Sequence, residues 1–507
     1  MANLNLTSFE GLDTLHTPAG IKDDSLVNLL NFDLTKQGYL QKRTGLSKFD
    51  PDDGRGLILM GRYKTASFDR IITYNGTDRD LDYMPVGGGS LTSINNAMPV
   101  GTCHIAQYAD LLYIQAFSGD PGTYDGTTYT ALPGKPAGTK NLFHKDREWI
   151  IDSVGGPRLD QLRYSEIAGS GGTDFSAANH PAANTILVGR GDGQHCSNLV
   201  VFNDVLYVFK SGSTWVLYTD TNTPEDWTLR QVEPTIGCTS KDGAVVHENL
   251  LYFLSINGVF RTDGTTFEEI SAPIRDFFAN RSLPTLLYDL IFEEFIAVVG
   301  DQLWCIVWDN SGSVGANSFV FIYNLKTKGW SQYTFKLWDA NADVRTPVSL
   351  NDQNPASLYL GTFALSAGTD HGYIFSYGTP NIYQDTSDSA RNYESTFRTK
   401  MFDFGEPSTW KRMLDCTIDY FTKASAATWR WYYEDGVIAT PTTLLPANTT
   451  STADNSRSLM PVTPAGWFRS IQAEFSDALD NDQCIIYGFT FNTSERKISG
   501  RPINQVP

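Results

Sequence analysis

Apolar and polar positions alternate in one phrase that keeps returning along the chain. An apolar strand runs into a short polar corner, and a second apolar strand follows. Val200-Val201-Phe202-Asn203-Asp204-Val205-Leu206-Tyr207-Val208-Phe209 is the plainest copy, and Ala244 to Leu254, turning at Glu248-Asn249, is the next. His104 to Ile114, turning at Ala109-Asp110, is a fainter one. Aligned on the first apolar residue of the second strand (Ile71, Leu111, Trp149, Val205, Leu250, Phe295, Leu358), the copies are spaced 40, 38, 56, 45, 45 and 63 residues apart. A period of about 40–45 residues holding four short strands is the spacing of a propeller blade. Five blades are plain, and the first and last are fainter. The long gaps hold insertions, Gly169–Asn184 and Asp309–Asn317.

Turn chemistry supports the same units. Asp125-Gly126, Asp263-Gly264 and Asn75-Gly76 each sit between strand-like runs, where a residue at positive φ closes a hairpin. Tyr323 to Ser331 reads as two strands around a polar turn, with Trp330 packing back. Helical signal is confined to Ser271-Ala272-Pro273-Ile274-Arg275-Asp276-Phe277-Phe278, with Ser at a cap and Pro near the first position.

The ends of the chain read differently. Residues 1–50 are N-terminal strands: Ser25–Leu34 alternates in part, Thr35–Gly38 breaks it, and Tyr39–Arg43 resumes as the candidate strand to close the propeller. Residues 51–390 are the propeller, ending in a polar linker, Asn381–Asn392, that carries Asp385 and Asp388. Residues 391–493 hold longer alternating strands, such as Thr396–Phe404, Met413–Phe421, Thr428–Tyr433, Trp467–Phe475 and Cys484–Phe491. They read as an antiparallel β-sandwich. Residues 494–507 form a tail with Arg496, Lys497 and Arg501, expected to be mobile or ordered by a partner. The predicted class is therefore all-β: a β-propeller of about six to seven blades followed by a C-terminal antiparallel β-sandwich.

Composition narrows the function. Aromatic residues make up 13 %, which suits pleated surfaces. The net charge is −18, of which residues 391–507 carry −1 and residues 1–390 the remaining −17. No basic stripe exists to displace counterions from nucleic-acid phosphates, so tight DNA binding is not expected. The same surface could line a passage through which DNA slides without sticking, although solubility alone accounts for most such carboxylates. The six cysteines (103, 196, 238, 305, 416, 484) form no CxxC pair and lie in apolar runs, as buried reduced thiols do. The N-terminus has no basic-then-apolar signal, and no apolar run reaches the ~18 residues of a membrane helix. The chain is thus expected to be made in the cytoplasm, with no membrane anchor.

No catalytic constellation stands out, and the chain is expected not to be an enzyme, with no catalytic, cofactor-binding or metal residues assigned. There is no GxSxG, HExxH, P-loop or dinucleotide fingerprint. His195-Cys196 are neighbours on a strand and face opposite ways. Glu293-Glu294 and Asp152 are the conceivable carboxylates of a propeller glycosidase, against the commoner reading of solvated strand ends. Asp309-Asn310-Ser311-Gly312 and Asp220-Thr221-Asn222 are conceivable calcium loops that lack a full oxygen set. Trp431, Tyr432 and Tyr433 could stack on sugars, though core packing explains them as well.

Two phrases resemble a known family. One is Ser25-Leu26-Val27-Asn28-Leu29-Leu30-Asn31-Phe32-Asp33-Leu34 through Gly38-Tyr39-Leu40-Gln41-Lys42-Arg43-Thr44-Gly45-Leu46. The other is Thr223-Pro224-Glu225-Asp226-Trp227-Thr228-Leu229-Arg230-Gln231-Val232, then Ile236-Gly237-Cys238, then Leu251 to Phe260. Both look like the β-propeller structural proteins of tailed bacteriophages, of the tail nozzle or tail hub type of short-tailed phages. The resemblance covers about a fifth of the chain. It implies a virion subunit that assembles with itself into a ring, commonly a hexamer, beside the portal and adaptor and other tail proteins such as fibres or spikes. DNA would pass through the ring as cargo during ejection without specific binding. The alternatives are a receptor- or glycan-binding tail component and a propeller glycoside hydrolase.

Overall fold

The structure, a computed structural model, describes residues 2–49, 57–75, 78–99, 103–152, 160–168, 175–280, 294–309, 317–335, 343–352, 356–366, 369–371, 373–378, 383–386, 390–422, 427–434, 442–444, 458–464, 466–477 and 483–496. Among these the chain is all-β. Five sheets are four-stranded antiparallel meanders, beginning at Ile58–Lys64, Cys103–Tyr108, Lys140–His144, Cys196–Phe202 and Ala244–His247. Two further meanders begin at Phe295–Val299 and Asp343–Leu350 and belong to larger sheets. Each first strand lies against the first strand of the next meander, and Asp343–Leu350 lies against Ile58–Lys64, so the series closes on itself. Radial four-stranded sheets in a closed series are the architecture of a β-propeller.

The sequence pattern explains this arrangement. The second strands of the fourth and fifth meanders are apolar on both faces because both faces are covered by neighbouring sheets. In Val205–Lys210 and Leu250–Ser255 every residue after the first is buried. The core is accordingly a set of layers between adjacent meanders. Phe209 of the fourth meets Phe253 of the fifth with ring centroids 4.9 Å apart. Trp149 of the third packs with Leu199 and Leu206 of the fourth. The series closes through Leu59, Val348, Leu350 and Ile374.

The hairpin corners follow the chemistry of their residues. Asn203-Asp204 and Glu248-Asn249 both have positive φ, at 52°, 60°, 45° and 59°, as does Lys145-Asp146 at 49° and 55°. Two consecutive left-handed residues make the turn whose twist matches the flanking strands. Asp125 and Asp263 accept hydrogen bonds from the backbone two and three residues on, as Asx turns do. The Asn75-Gly76 turn lies outside the described residues at Gly76. The helical expectation at 271–278 corresponds to a 3-10 turn, Ala272–Ile274, running into the α-helix Arg275–Asn280.

The last meander takes its fourth strand from the N-terminal segment. Leu46–Lys48 pairs with Ile374–Tyr377, 329 residues away by the Ser47–Ser376 contact. Tyr39–Arg43, the expected closing strand, lies elsewhere: Leu40–Lys42 pairs with Phe32–Leu34 and with Ile485 and Ile486. The reason is local. Leu40 is buried in the apolar layer of the C-terminal strands, whereas Leu46 is buried with Trp304, Leu358 and Phe375 of the propeller.

The strands after residue 394 do not stand alone either. One sheet contains the long strands Trp410–Thr422 and Cys484–Arg496 together with Ala2–Leu6 and Leu40–Lys42. The other contains Ser395–Thr399, Ile471–Asp477 and Thr428–Tyr433 together with Ser25–Leu30. Facing rings fill the space between them: Trp429 meets Phe489 at 5.5 Å and Trp431 meets Phe491 at 5.8 Å. The second sheet is continuous with the sixth meander, because Leu30 pairs with Gln332. From residue 497 the expected tail lies outside the described residues, while Ser494–Arg496 end the strand Cys484–Arg496.

Candidate functional site

The first strands bring a set of polar side chains to the propeller axis. Lys140 opens the third meander, and its Nζ donates to Asn198 Oδ1 of the fourth at 2.6 Å and to the Lys241 carbonyl at 2.5 Å. Lys241 Nζ donates to the Cys103 carbonyl of the second meander at 2.7 Å. Asp242 lies 3.6 Å from Lys241 and 3.7 Å from His104 Nε2, and its backbone bridges to Phe295 of the sixth. His104 Nδ1 meets Asn141 Oδ1 at 3.0 Å. The cycle closes where Leu59 N donates to Thr346 Oγ1 at 2.6 Å.

This cluster fills the axis instead of opening it. The gap left among Leu59, Tyr74, His104, Lys241, Asp242 and Phe295 is about 20 Å³, the room one water needs. Burial and the nearby Lys140 ammonium push the His104 imidazole down to about 3, so it is neutral. Burial brings Lys140 down to about 8. Among the described residues, side chains of the second, third and fourth meanders and Lys241-Asp242 before the fifth thus meet one another at this level.

A second buried set lies behind the first. Glu148 is held by Lys135 at 2.8 Å, by Asn141 Nδ2 at 2.9 Å, and has His180 Nε2 at 3.3 Å. Burial opposes its ionisation, yet Lys135 and His180 win and hold the carboxyl below its usual range. The arrangement secures the insertion carrying His180 against the third meander.

The residues singled out in the sequence fall as follows. Glu294 is buried and accepts from Thr239 Oγ1 at 2.5 Å, while Asp152 is paired with Arg163 at 2.7 Å. They belong to different meanders, the sixth and the third, and Glu293 lies outside the described residues. The Cys196 thiol is pushed up to about 12 by burial, which removes its nucleophilic form at neutral pH. All six cysteines are buried and unpaired by disulfide.

The Asp220 loop is occupied by cations of the chain itself. Lys145 Nζ lies 3.6 Å from Asp220 and 3.4 Å from Asp204 and donates to the Thr219 carbonyl. Arg147 donates to the Asn222 carbonyl at 3.0 Å. Of the other loop, residues 310–312 lie outside the described residues. Among the described residues no group of three or more His, Cys, Asp or Glu is placed to hold a metal ion.

Trp431 is buried and donates its Nε1–H to the Val462 carbonyl at 2.7 Å. Tyr432 donates to Glu474 at 2.9 Å, with the Arg398 guanidinium 4.3 Å from its ring centre. This aromatic run is framework. The axial lysines carry little mark in the sequence. Their one signal is a cation at the mouth of an apolar strand, as at Lys140.

One end of the propeller collects carboxylates at hairpin corners between first and second strands: Asp110, Asp146, Asp204, Glu248 and Asp301. Asp204 and Glu248 are 77 % and 61 % exposed. Several are linked to a neighbouring meander, as Glu248 is by Lys326 at 3.3 Å and Asp146 by the Tyr108 hydroxyl at 2.8 Å.

No family model matches the chain, and no curated protein matches it. Among solved structures, BamB from Moraxella catarrhalis shares 12 % identity over 67 % of this chain and 98 % of its own, at a TM-score of 0.36. A chain of the mitotic checkpoint complex shares 10 % over 65 % of this chain and 93 % of its own, at 0.37. An exo-β-1,3-galactanase from Phanerochaete chrysosporium shares 10 % over 81 % and 98 %, at 0.27. Likenesses of this size carry no functional argument.

Proposed function

We propose that this chain is a structural subunit of a bacteriophage tail, of the nozzle or hub type. In this reading a seven-bladed propeller and a two-sheet sandwich form one rigid piece. Copies assemble into a ring, and genomic DNA leaves through the space enclosed between copies. The observation that carries the reading is the weld between the two parts. One sheet runs from the sixth meander through Leu30–Gln332 into the C-terminal strands, and the fully buried pairs Lys42–Asp477 and Arg43–Asp385 pin either side of it. A part under mechanical load gains from such a seam, whereas domains that close on a substrate need a hinge.

The two phrases described above supply the virion context. The filled axis is in keeping with a passage between copies instead of within one. Six copies at −18 each would present a strongly negative ring, which repels phosphates and keeps friction low. Particles carrying Asp110→Lys, Asp204→Lys and Glu248→Lys together should assemble and release DNA more slowly. Unchanged release kinetics in assembled particles would count against a passage-lining role.

A further inference from the structure

The outer face of the C-terminal sheet carries a depression of about 200 Å³ that the virion reading does not use. Its floor is set by the backbone. Gly488 has φ +153°, and a Cβ there would lie 2.1 Å from the Leu6 carbonyl oxygen, so no other residue fits. The Leu6 carbonyl fills the place of the missing side chain, and Asp419 stands directly opposite Gly488 on the neighbouring strand.

Around that floor the strand register builds a polar row. Asn5 pairs with Thr490, and Thr490 pairs with Thr417, so the three lie side by side across three strands on one face. Adjacent members are about 4.8 Å apart, the spacing between strands. Tyr39 and Tyr487 form the remaining wall, edge to face with ring centroids 5.1 Å apart.

Among the described residues no basic side chain lines the depression, which disfavours an anion. One carboxylate, one amide and a set of hydroxyls, next to two aromatic rings, suit a neutral polyol with an apolar C–H face. An ionised carboxylate accepts several hydroxyl protons at once, and an amide both donates and accepts. At about 200 Å³ the depression has room for several waters and so for a small polyol. We propose that this depression is a neutral-saccharide site, with Asp419 and Asn5 reading hydroxyl groups and the Tyr39–Tyr487 pair packing against the ring. The proposal stands whether or not the chain belongs to a tail ring.

Saturation-transfer NMR of the full chain with glucose, galactose, rhamnose, N-acetylglucosamine and maltose tests it, followed by titration of any sugar that responds. At least one sugar should bind saturably. Asp419→Asn and Thr490→Val, both on the outer face of the sheet, should each weaken that binding about tenfold, the loss of one hydrogen bond to a charged or hydroxyl group. Asp415→Ala, exposed on the same strand but outside the depression, should leave it unchanged. The proposal is overturned if none of the five sugars binds, or if binding survives both substitutions undiminished in protein with unaltered thermal unfolding.

Discussion

Arg43 holds Asp385 through two parallel hydrogen bonds, Nη1 to Oδ1 at 3.0 Å and Nη2 to Oδ2 at 2.9 Å, with both side chains fully buried. The guanidinium also stacks on Tyr393, 3.7 Å from its ring centre, and donates to Asn31 Oδ1 and to the Thr334 and Thr44 carbonyls. Every donor direction of the fork is therefore used. Its neighbour Lys42 bonds Asp477 at 2.8 Å in the other part of the molecule. Successive strand residues face opposite ways, so two adjacent cations fasten two different layers.

Removing one partner of such a pair strands a buried charge. Arg43→Ala should cost about 3–5 kcal/mol of stability. Arg43→Lys should recover little, because an ammonium cannot reproduce the planar fork. The double change Arg43→Met with Asp385→Leu should be less destabilising than either single change. Chemical denaturation of these five variants, the two single changes of the cycle included, measures this, and an additive double mutant would contradict a coupled pair.

Asp33 sets a pH dependence. Burial pushes its carboxyl up to about 7, against hydrogen bonds from Gln302 Nε2 and the Tyr333 hydroxyl, and against Arg43. The unfolded value is about 3.9, so the folded state binds the proton more tightly. The stability linked to this group is then present at low pH and is lost as pH rises from about 4 to about 7. The full loss is at most about 4 kcal/mol, reduced by water at the partly open flank of Asp33. Asp33→Asn should flatten this slope, so that its unfolding midpoint exceeds that of the parent at pH 8 and matches it near pH 4.5. Parallel midpoints across that range would refute the assignment.

The ring stack between the C-terminal sheets has its own test. Trp429 is fully buried between Phe397, Trp431 and Phe489. Trp429→Ala should cost about 3–5 kcal/mol, and Trp429→Phe clearly less. Tyr433, which is only half-buried, should tolerate replacement by Leu within about 1 kcal/mol. Unfolding curves of the three variants rank them.

Ala109 occupies a corner that asks for another residue. Its φ is 51°, a conformation that costs an alanine about 1–2 kcal/mol. The equivalent first positions of the neighbouring corners are Lys145, Asn203 and Glu248, also at positive φ. Ala109→Gly should stabilise by about 0.5–1 kcal/mol after the extra freedom of glycine in the unfolded chain is counted. A lower unfolding midpoint would contradict the turn geometry.

Local chemistry was readable along the chain, and distant pairing was not. Asn203-Asp204 and Glu248-Asn249 announce their corners because the turn is decided within four residues. The doubly apolar runs Leu206–Phe209 and Leu251–Leu254 announce strands covered on both faces. Leu46–Lys48 carries no mark of its partner Ile374–Tyr377, since strand pairing leaves no signature when the partners are hundreds of residues apart. Arg43 and Asp385 read as a strand end and a polar linker, because a buried charge looks like a solvated one until its counter-ion is located. The same holds for Lys140 and Asp242 at the axis. The depression over Gly488 arises from register, and register between Ala2–Leu6 and Cys484–Arg496 is invisible in either segment alone.

Electron cryomicroscopy of the purified chain and of particles that contain it tests the account most directly. The expected map shows a closed ring of copies. Each copy is a propeller whose axis is plugged at Lys140, Asn198 and Lys241, and the only passage runs between copies. A map in which DNA threads the axis of a single propeller, or in which the chain stays a lone monomer absent from the particle, would contradict it.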